Sequence, residues 1–463
     1  MTDIISFPPK LSKLSHAKLA QLSSEEFANI RESIKKRNRR HLHKNKIHSV
    51  DRKLILKKYP NKRIEHIPLL RSQMARLYDE AKPSEILDFF NSQRGEKWKR
   101  GYKRKKLQNR ITIQHFSFID YPNETLDLFY KFAEYEPKIL EAFADFVDDR
   151  IYDIAPYLLW GIVKKDMYPY IRGGKISNRV SNVIKGLDLD KFMDMRLPNA
   201  DDRNVIALPP IMKPRRTLVE NQNVTTLDVS ATRLVEKINE WLIQLDPPMA
   251  LSDEGCVNVT SFTIEILENA QRHSVKGEEG NWYMTSFMEY RDGKYFCSLS
   301  FINTGMPIYE SILSTTNDSV KQELDAYIKM HKNISSNILA TVYALQDGST
   351  RENYKDSRGG IGMLRMVKFI NEIGDTSISE DKPQIAIISG NVCIKFSDKY
   401  GNAVKLSNNK NYQWFNLKQD RTIEPDKKYA YLLHKAFPGT IITTRFMLDA
   451  ESLQKKVKNN DGN

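Results

Sequence analysis

Cysteine is scarce in this chain. Only Cys256, Cys297 and Cys393 occur among 463 residues, far apart in sequence. That spacing excludes a disulfide framework and the paired-cysteine pattern of a zinc site, and it favours a reducing compartment. We therefore expect a cytoplasmic protein. Long apolar runs are also missing. No stretch approaches the roughly 18 apolar residues of a membrane-spanning helix, so no membrane span is expected. The N-terminus carries no apolar core of a signal peptide. No internal repeat and no phosphate-loop motif is present, and Arg172-Gly173-Gly174-Lys175 reads as a turn.

Charge is present in excess and unevenly distributed. The whole chain carries 72 Lys and Arg against 58 Asp and Glu, a net of +14. Residues 1–110 hold 29 basic and 11 acidic residues, a net of +18, which leaves the remainder at −4. Two clusters dominate. The first contains Lys35, Lys36, Arg37, Arg39 and Arg40. The second runs from Lys97 and includes Trp98, Tyr102, Lys103, Arg104, Lys105 and Lys106. Cations interleaved with aromatics suit phosphate contact plus base stacking, so DNA or RNA is a candidate partner. An acidic protein or a purely solvated basic arm fits the same composition.

Four short segments in the C-terminal half carry the site chemistry. In Glu265-Ile266-Leu267-Glu268-Asn269-Ala270, the apolar spacing predicts a helix over 259–274. Glu265 and Asn269, four apart, then lie on one side of it. An amide oxygen is a hard ligand for Mg²⁺, which also takes phosphate oxygens. A carboxylate one turn away can orient or deprotonate an attacking water. Asn303-Thr304-Gly305-Met306-Pro307 follows a strand signal over 295–302, itself preceded by a turn at 291–294. Arg358-Gly359-Gly360-Ile361-Gly362 opens a helical pattern over 363–373. Its glycines let backbone N–H groups approach a polyphosphate at a helix N-terminus. Pro438-Gly439-Thr440 begins a β-branched strand. Taken singly, each segment also reads as an amphipathic helix, a turn, a loop or a strand start.

In this order and spacing, the four segments resemble the nucleotide site of the GHKL (Bergerat-fold) ATPases, the group of gyrase, heat-shock chaperone, histidine-kinase and mismatch-repair ATPases. The resemblance covers about residues 204–449. It implies ATP and Mg²⁺ as cofactors, with Glu265 as general base and Asn269 as the metal-holding residue. It further implies that Asn303, Gly305 and Thr440 lie at the adenine, and Arg358, Gly359, Gly360 and Gly362 at the phosphates. Asn303 stands where the family has Asp, and Pro307 where it has a second Gly. The stretch between Met306 and Arg358 matches the family's ATP lid in length.

The pattern and the resemblance together give an α+β fold. We expect a basic, mostly helical region over 1–110 and a helical domain over 111–200. A GHKL-type domain follows over 201–450, a two-layer sandwich with helices on one face of a mixed sheet, and then a polar tail over 451–463. Finer expectations are a helix across 137–147, a strand at 225–229, a helix over 231–245 and a hairpin around Ser389-Gly390-Asn391 within 384–396.

The resemblance implies an ATP-hydrolysing switch, with ATP-dependent homodimerisation as in the gyrase-like members, and points to bacterial signalling or phage defence as the setting. The alternatives are a protein kinase of the histidine-kinase or anti-sigma-factor type, and a nucleotide-binding module that does not hydrolyse. The closest phosphoacceptor segment, around His16, lacks the acidic neighbour a histidine kinase has there.

The basic region carries its own test. Each phosphate neutralised on duplex DNA adds about −0.9 to the slope of log K against log salt. Replacing Lys103, Arg104, Lys105 and Lys106 together by Ala should flatten that slope by several units and weaken all sequences alike. A salt titration of the full chain against duplex and single-stranded oligonucleotides measures this. Binding absent at low salt would redirect attention to an acidic protein partner.

Overall fold

The computed structural model describes residues 81–100, 108–137, 141–167, 171–189, 197, 203–213, 226–273, 281–347, 349, 363–376, 382–401, 404–405 and 411–455. Among the described residues two short helices come first, α1 (Glu85–Phe90) and α2 (Arg94–Arg100). Ser84 caps α1 by accepting a bond from Leu87 N. A βα alternation follows: β1 (Gln108–Ile113), α3 (Pro122–Tyr135), β2 (Glu141–Phe146), α4 (Ala155–Asp166), β3 (Ile171–Gly173) and α5 (Asn178–Gly186). The three strands form a parallel sheet in the order β1-β2-β3.

This parallel sheet corrects the helical reading of 111–200. The stretch expected to be a helix at 137–147 contains strand β2 instead. Ala142, Ala144 and Phe146 are all buried, the period-2 face of a strand. Six residues with four apolar positions are compatible with either period, and pairing with β1 decides it. Arg172-Gly173-Gly174-Lys175 is likewise not a free turn, since β3 takes its first half. At Gly174 φ is +157°, and a Cβ there would lie 1.6 Å from the Ala144 carbonyl oxygen.

The second half is built on a larger sheet. Its elements are β4 (Val205–Ala207), β5 (Ile211–Lys213), α6 (Leu227–Gln244), β6 (Met249–Leu251), α7 (Asp253–His273), β7 (Trp282–Arg291) and β8 (Lys294–Thr304). Three helices follow, α8 (Ile308–Leu313), α9 (Asp318–Met330) and α10 (Ser336–Leu345), and then α11 (Met363–Ile373) and β9 (Gln384–Phe396). The small pair β10 (Val404–Lys405) and β11 (Asn411–Tyr412), the long strand β12 (Ala430–Met447) and β13 (Leu453–Lys455) complete the chain. The sheet order is β4-β7-β8-β12-β9, with β5 also on β7, and every pair is antiparallel. The fold is thus α+β with a mostly antiparallel principal sheet. β7 and β8 are joined at Asp292-Gly293, both in the left-handed region, as a tight hairpin demands.

Two local expectations change here. Thr226 does not start a strand. Its hydroxyl caps α6 by accepting from Val229 N, and capping outweighs the β-branched run because Leu234, Val235, Ile238, Trp241 and Leu242 continue at helical spacing and are buried. Ser389-Gly390-Asn391 is not a hairpin turn. β9 passes straight through it, with Gly390 at φ +58°, and pairs on both sides with the longer β12. The register shifts on β12 absorb the irregularity.

Both faces of the large sheet are covered. One face packs Met284, Phe301, Ile387 and Ile442 under α6, α7, α10 and α11. The other packs Phe287, Ile302, Ile388, Phe437 and Ile441 against α1, α3, α4 and α5, in one continuous core with the βα unit. Polar bonds cross this second seam. Asp153, fully buried, accepts from Ser117 Oγ at 2.6 Å, Phe118 N at 2.9 Å and Thr443 Oγ1 at 3.2 Å. Burial pushes its carboxyl pKa up, against the pull of those hydrogen bonds. Arg445 on β12 holds Asp120 with both terminal nitrogens, at 2.6 and 3.0 Å. Tyr130 OH donates to Ala436 O at 2.8 Å.

Asp153→Ala removes the shared acceptor and leaves the Ser117 hydroxyl and the Phe118 N–H buried without it. The expected loss is at least about 3 kcal/mol of unfolding free energy, read from urea denaturation. A change under about 0.5 kcal/mol, the ordinary surface range, would show that the seam does not depend on Asp153.

Candidate functional site

α7 begins earlier than its periodicity predicts, at Asp253. Ser252 Oγ accepts from Gly255 N at 3.1 Å, and Asp253 and Glu254 sit in the first turn, where the helix dipole favours acids. Its buried stripe is Val259, Phe262, Ile266 and Leu267. Phe262 meets Phe301 of β8 edge-on, ring centroids 5.6 Å apart, so α7 lies over β8. Glu265 and Asn269 occupy the half-buried shoulder of that stripe. Asn269 Nδ2 donates to Glu265 Oε1 at 3.2 Å. That bond joins the two side chains and turns the Asn269 carbonyl oxygen away from Glu265.

The second element is the end of β8. Asn303 is buried and lies directly opposite Thr440 of β12, while Thr304 lies opposite Gly439. Thr440 is in turn opposite Ser389 of β9, and their hydroxyls are 2.8 Å apart. Asn303, Thr440 and Ser389 thus form one row across three strands. They sit two residues beyond Phe301, Ile442 and Ile387, which face the layer of α7 and α11. Side chains alternate with period 2, so the row faces the same layer. Gly305 has φ +133°, and its N–H donates to Pro438 O at 3.1 Å. Pro307 has φ −61° and serves as N-cap residue of α8. The fixed φ of proline suits this position, because the loop turns at once into a helix. Ser389 Oγ accepts the Ile308 N–H at 2.8 Å and meets one of the open donors of that helix start.

Gly439 holds these pieces in register. Its φ is +143°, and a Cβ there would fall 2.1 Å from the Asn303 carbonyl oxygen. Only glycine permits the approach. Ser389 was not legible as part of a site, because Ser389-Gly390-Asn391 has turn composition. Asn281 was missed as well. It clasps Thr304 from the far side, accepting from Thr304 N at 3.0 Å and donating to Thr304 Oγ1 at 2.8 Å.

Arg358, Gly359, Gly360 and Gly362 lie outside the described residues, which resume at Met363 with α11. α11 forms as expected and packs on α7 through a buried stripe that includes Leu364, Val367 and Ile370. The stretch after Met306 is not one long lid. It holds α8, α9 and α10, and α10 is almost wholly buried beside β9 and β12. The lid reading is left only the residues between 347 and 363, nearly all outside the described ones.

The basic clusters Lys35, Lys36, Arg37, Arg39, Arg40 and Tyr102, Lys103, Arg104, Lys105, Lys106 also lie outside the described residues. Trp98 is described, and it corrects one expectation. Its indole is 2% exposed, inside α2. Arg94, four residues earlier, is buried too and holds Glu136. The spacing of Arg94 and Trp98 marks an inward helix face, and a buried indole offers no stacking surface to a base.

Among the described residues, no cluster of three or more His, Cys, Asp or Glu side chains could hold a metal ion. No described helix is long and apolar enough to cross a membrane. Searches of family models, curated proteins and solved structures find no match to this chain.

Gly439→Ala tests the register. The added methyl must displace the Asn303 backbone, and we expect a loss of at least about 2 kcal/mol with altered amide shifts at Asn303 to Gly305. Unchanged stability and shifts would show that the strands separate freely there.

Proposed function

We propose that this chain binds Mg²⁺-ATP and hydrolyses it, as a GHKL-type switch. The observation that carries the reading is the row Asn303–Thr440–Ser389 on the same sheet face as the Glu265–Asn269 pair. Three of the four segments, remote in sequence, lie on one side of one sheet, which supports the reading. The helix-over-antiparallel-sheet arrangement of α6, α7 and α11 supports the Bergerat-fold reading of this half.

The residues present fit the ligand. Asn303 offers a carboxamide, and Thr440 a hydroxyl, to the polar edge of adenine. The Asn269 carbonyl oxygen, turned from Glu265, is a hard donor suited to Mg²⁺. Arg358, Gly359, Gly360 and Gly362 supply a cation and close-approach backbone for phosphates. Bound Mg²⁺-ATP supplies the phosphoryl group and the charge that neutralises its oxygens. Glu265 then orients a water and accepts its proton. Its bond to Asn269 keeps the carboxylate beside the metal-holding residue. The basic region before residue 110 would engage nucleic acid or an acidic partner, and the nucleotide state would bias that engagement.

Two variants divide the reading. Asn269→Ala should abolish the heat of Mg²⁺-ATP binding in calorimetry and the thermal stabilisation ATP gives. Glu265→Ala should keep binding nearly intact and lower turnover by at least about 100-fold. No heat for the wild type at millimolar nucleotide would sink the site. Transfer of radiolabelled γ-phosphate onto the protein, rather than its release to solution, would favour the kinase reading.

A further inference from the structure

We propose that Glu85 is a positioning residue for the nucleotide site, acting from the far side of the sheet through Thr304. This rests on the nucleotide reading above. Thr304 follows Asn303 on β8, and its side chain points to the opposite sheet face. There it is nearly inaccessible, at 2% exposure. Its hydroxyl lies 2.9 Å from Glu85 Oε2 and 3.0 Å from Asn281 Oδ1, two acceptors for one proton, and accepts from Asn281 Nδ2 at 2.8 Å, while its N–H donates to Asn281 Oδ1 at 3.0 Å. Three chain segments therefore converge on one threonine. Glu85 comes from the start of α1, Asn281 precedes β7 just after the stretch that follows α7, and Thr304 ends β8.

The contact lies where the turn is least supported by regular structure. Beyond Thr304 the β8–β12 ladder ends, and Gly305 N to Pro438 O is the next bond. α1 packs on that same end of β12, with Phe90 6.3 Å from Phe437 between ring centroids. α1 thus touches both strands behind the turn, one through Glu85 and the other through Phe90. In sequence, one basic cluster, Lys35 to Arg40, precedes α1, and the other, from Lys97, follows it. A partner that displaced α1 would release Thr304 and loosen the Asn303–Gly305 turn, and a ligand seated on that turn would hold α1 in place. The relation is reciprocal by linkage.

The test uses the full chain with Glu85→Ala, Glu85→Gln and Thr304→Val. Glu85→Ala should raise the Kd and KM for Mg²⁺-ATP by about 3- to 10-fold, the range of one hydrogen bond, and leave kcat unchanged. Glu85→Gln keeps an acceptor oxygen and should restore most of the affinity. Hydrogen exchange without nucleotide gives an independent readout. Glu85→Ala and Thr304→Val should each speed exchange of the Asn303 to Met306 amides by about the same factor, with global unfolding unchanged. Unchanged exchange there overturns the proposal whether or not nucleotide binds. Unchanged affinity in Glu85→Ala, alongside lost binding in Asn269→Ala, overturns the relay and leaves the nucleotide site standing. Intact binding in Asn269→Ala overturns the site reading instead.

Discussion

The close approach of Gly439 to the Asn303 carbonyl is the constraint on which the site depends. A Cβ at that point would meet the oxygen at 2.1 Å, so β8 and β12 reach their register only through a residue without one. That register sets Thr440 opposite Asn303 and carries the row on to Ser389. A slip of one residue would turn the row to the other sheet face. There it would meet the core shared with α3 and α4 rather than the layer that holds α7.

The same strand serves the other half of the molecule. β12 places Ile442 under the α7 layer and Ile441 under the βα unit, and both are buried. Its Thr443 and Arg445 reach Asp153 and Asp120 across the seam. An antiparallel sheet commonly leaves one face to water. Here the N-terminal unit takes that face, and α1 and α3 pack on the strand that carries Thr440. Helices α6, α7 and α11 cover one face of this sheet and the βα unit packs on the other, a deeper stack than the two layers expected.

The elements with long, strong periodicity were legible. The core of α7, the whole of α11, strand β8 and the part of β12 from Phe437 follow from apolar spacing, and the turn at Asp292-Gly293 from its residues. Short segments were not. β2 carries too few residues to separate period 2 from period 3.6, and only its parallel partner decides the matter. Thr225 to Val229 has strand composition, yet Thr226 works as a cap. Ser389-Gly390-Asn391 has turn composition, yet a long neighbour carries it through a strand. For the site, the pairing of Glu265 with Asn269 follows from helical spacing alone. The juxtaposition of Asn303, Thr440 and Ser389 is a matter of tertiary register and was invisible. Trp98 shows the opposite failure, where an aromatic among cations belonged to the core.

The most direct test of a nucleotide site at this row is photolabelling. A photoactivatable azido-adenine analogue of ATP, with Mg²⁺, is irradiated on the full chain, and the labelled peptides are mapped by mass spectrometry. The account predicts label in the peptides holding Asn303 to Pro307 or Phe437 to Thr440, competed away by unmodified ATP. Label confined to the βα unit, or label that ATP does not displace, would contradict it.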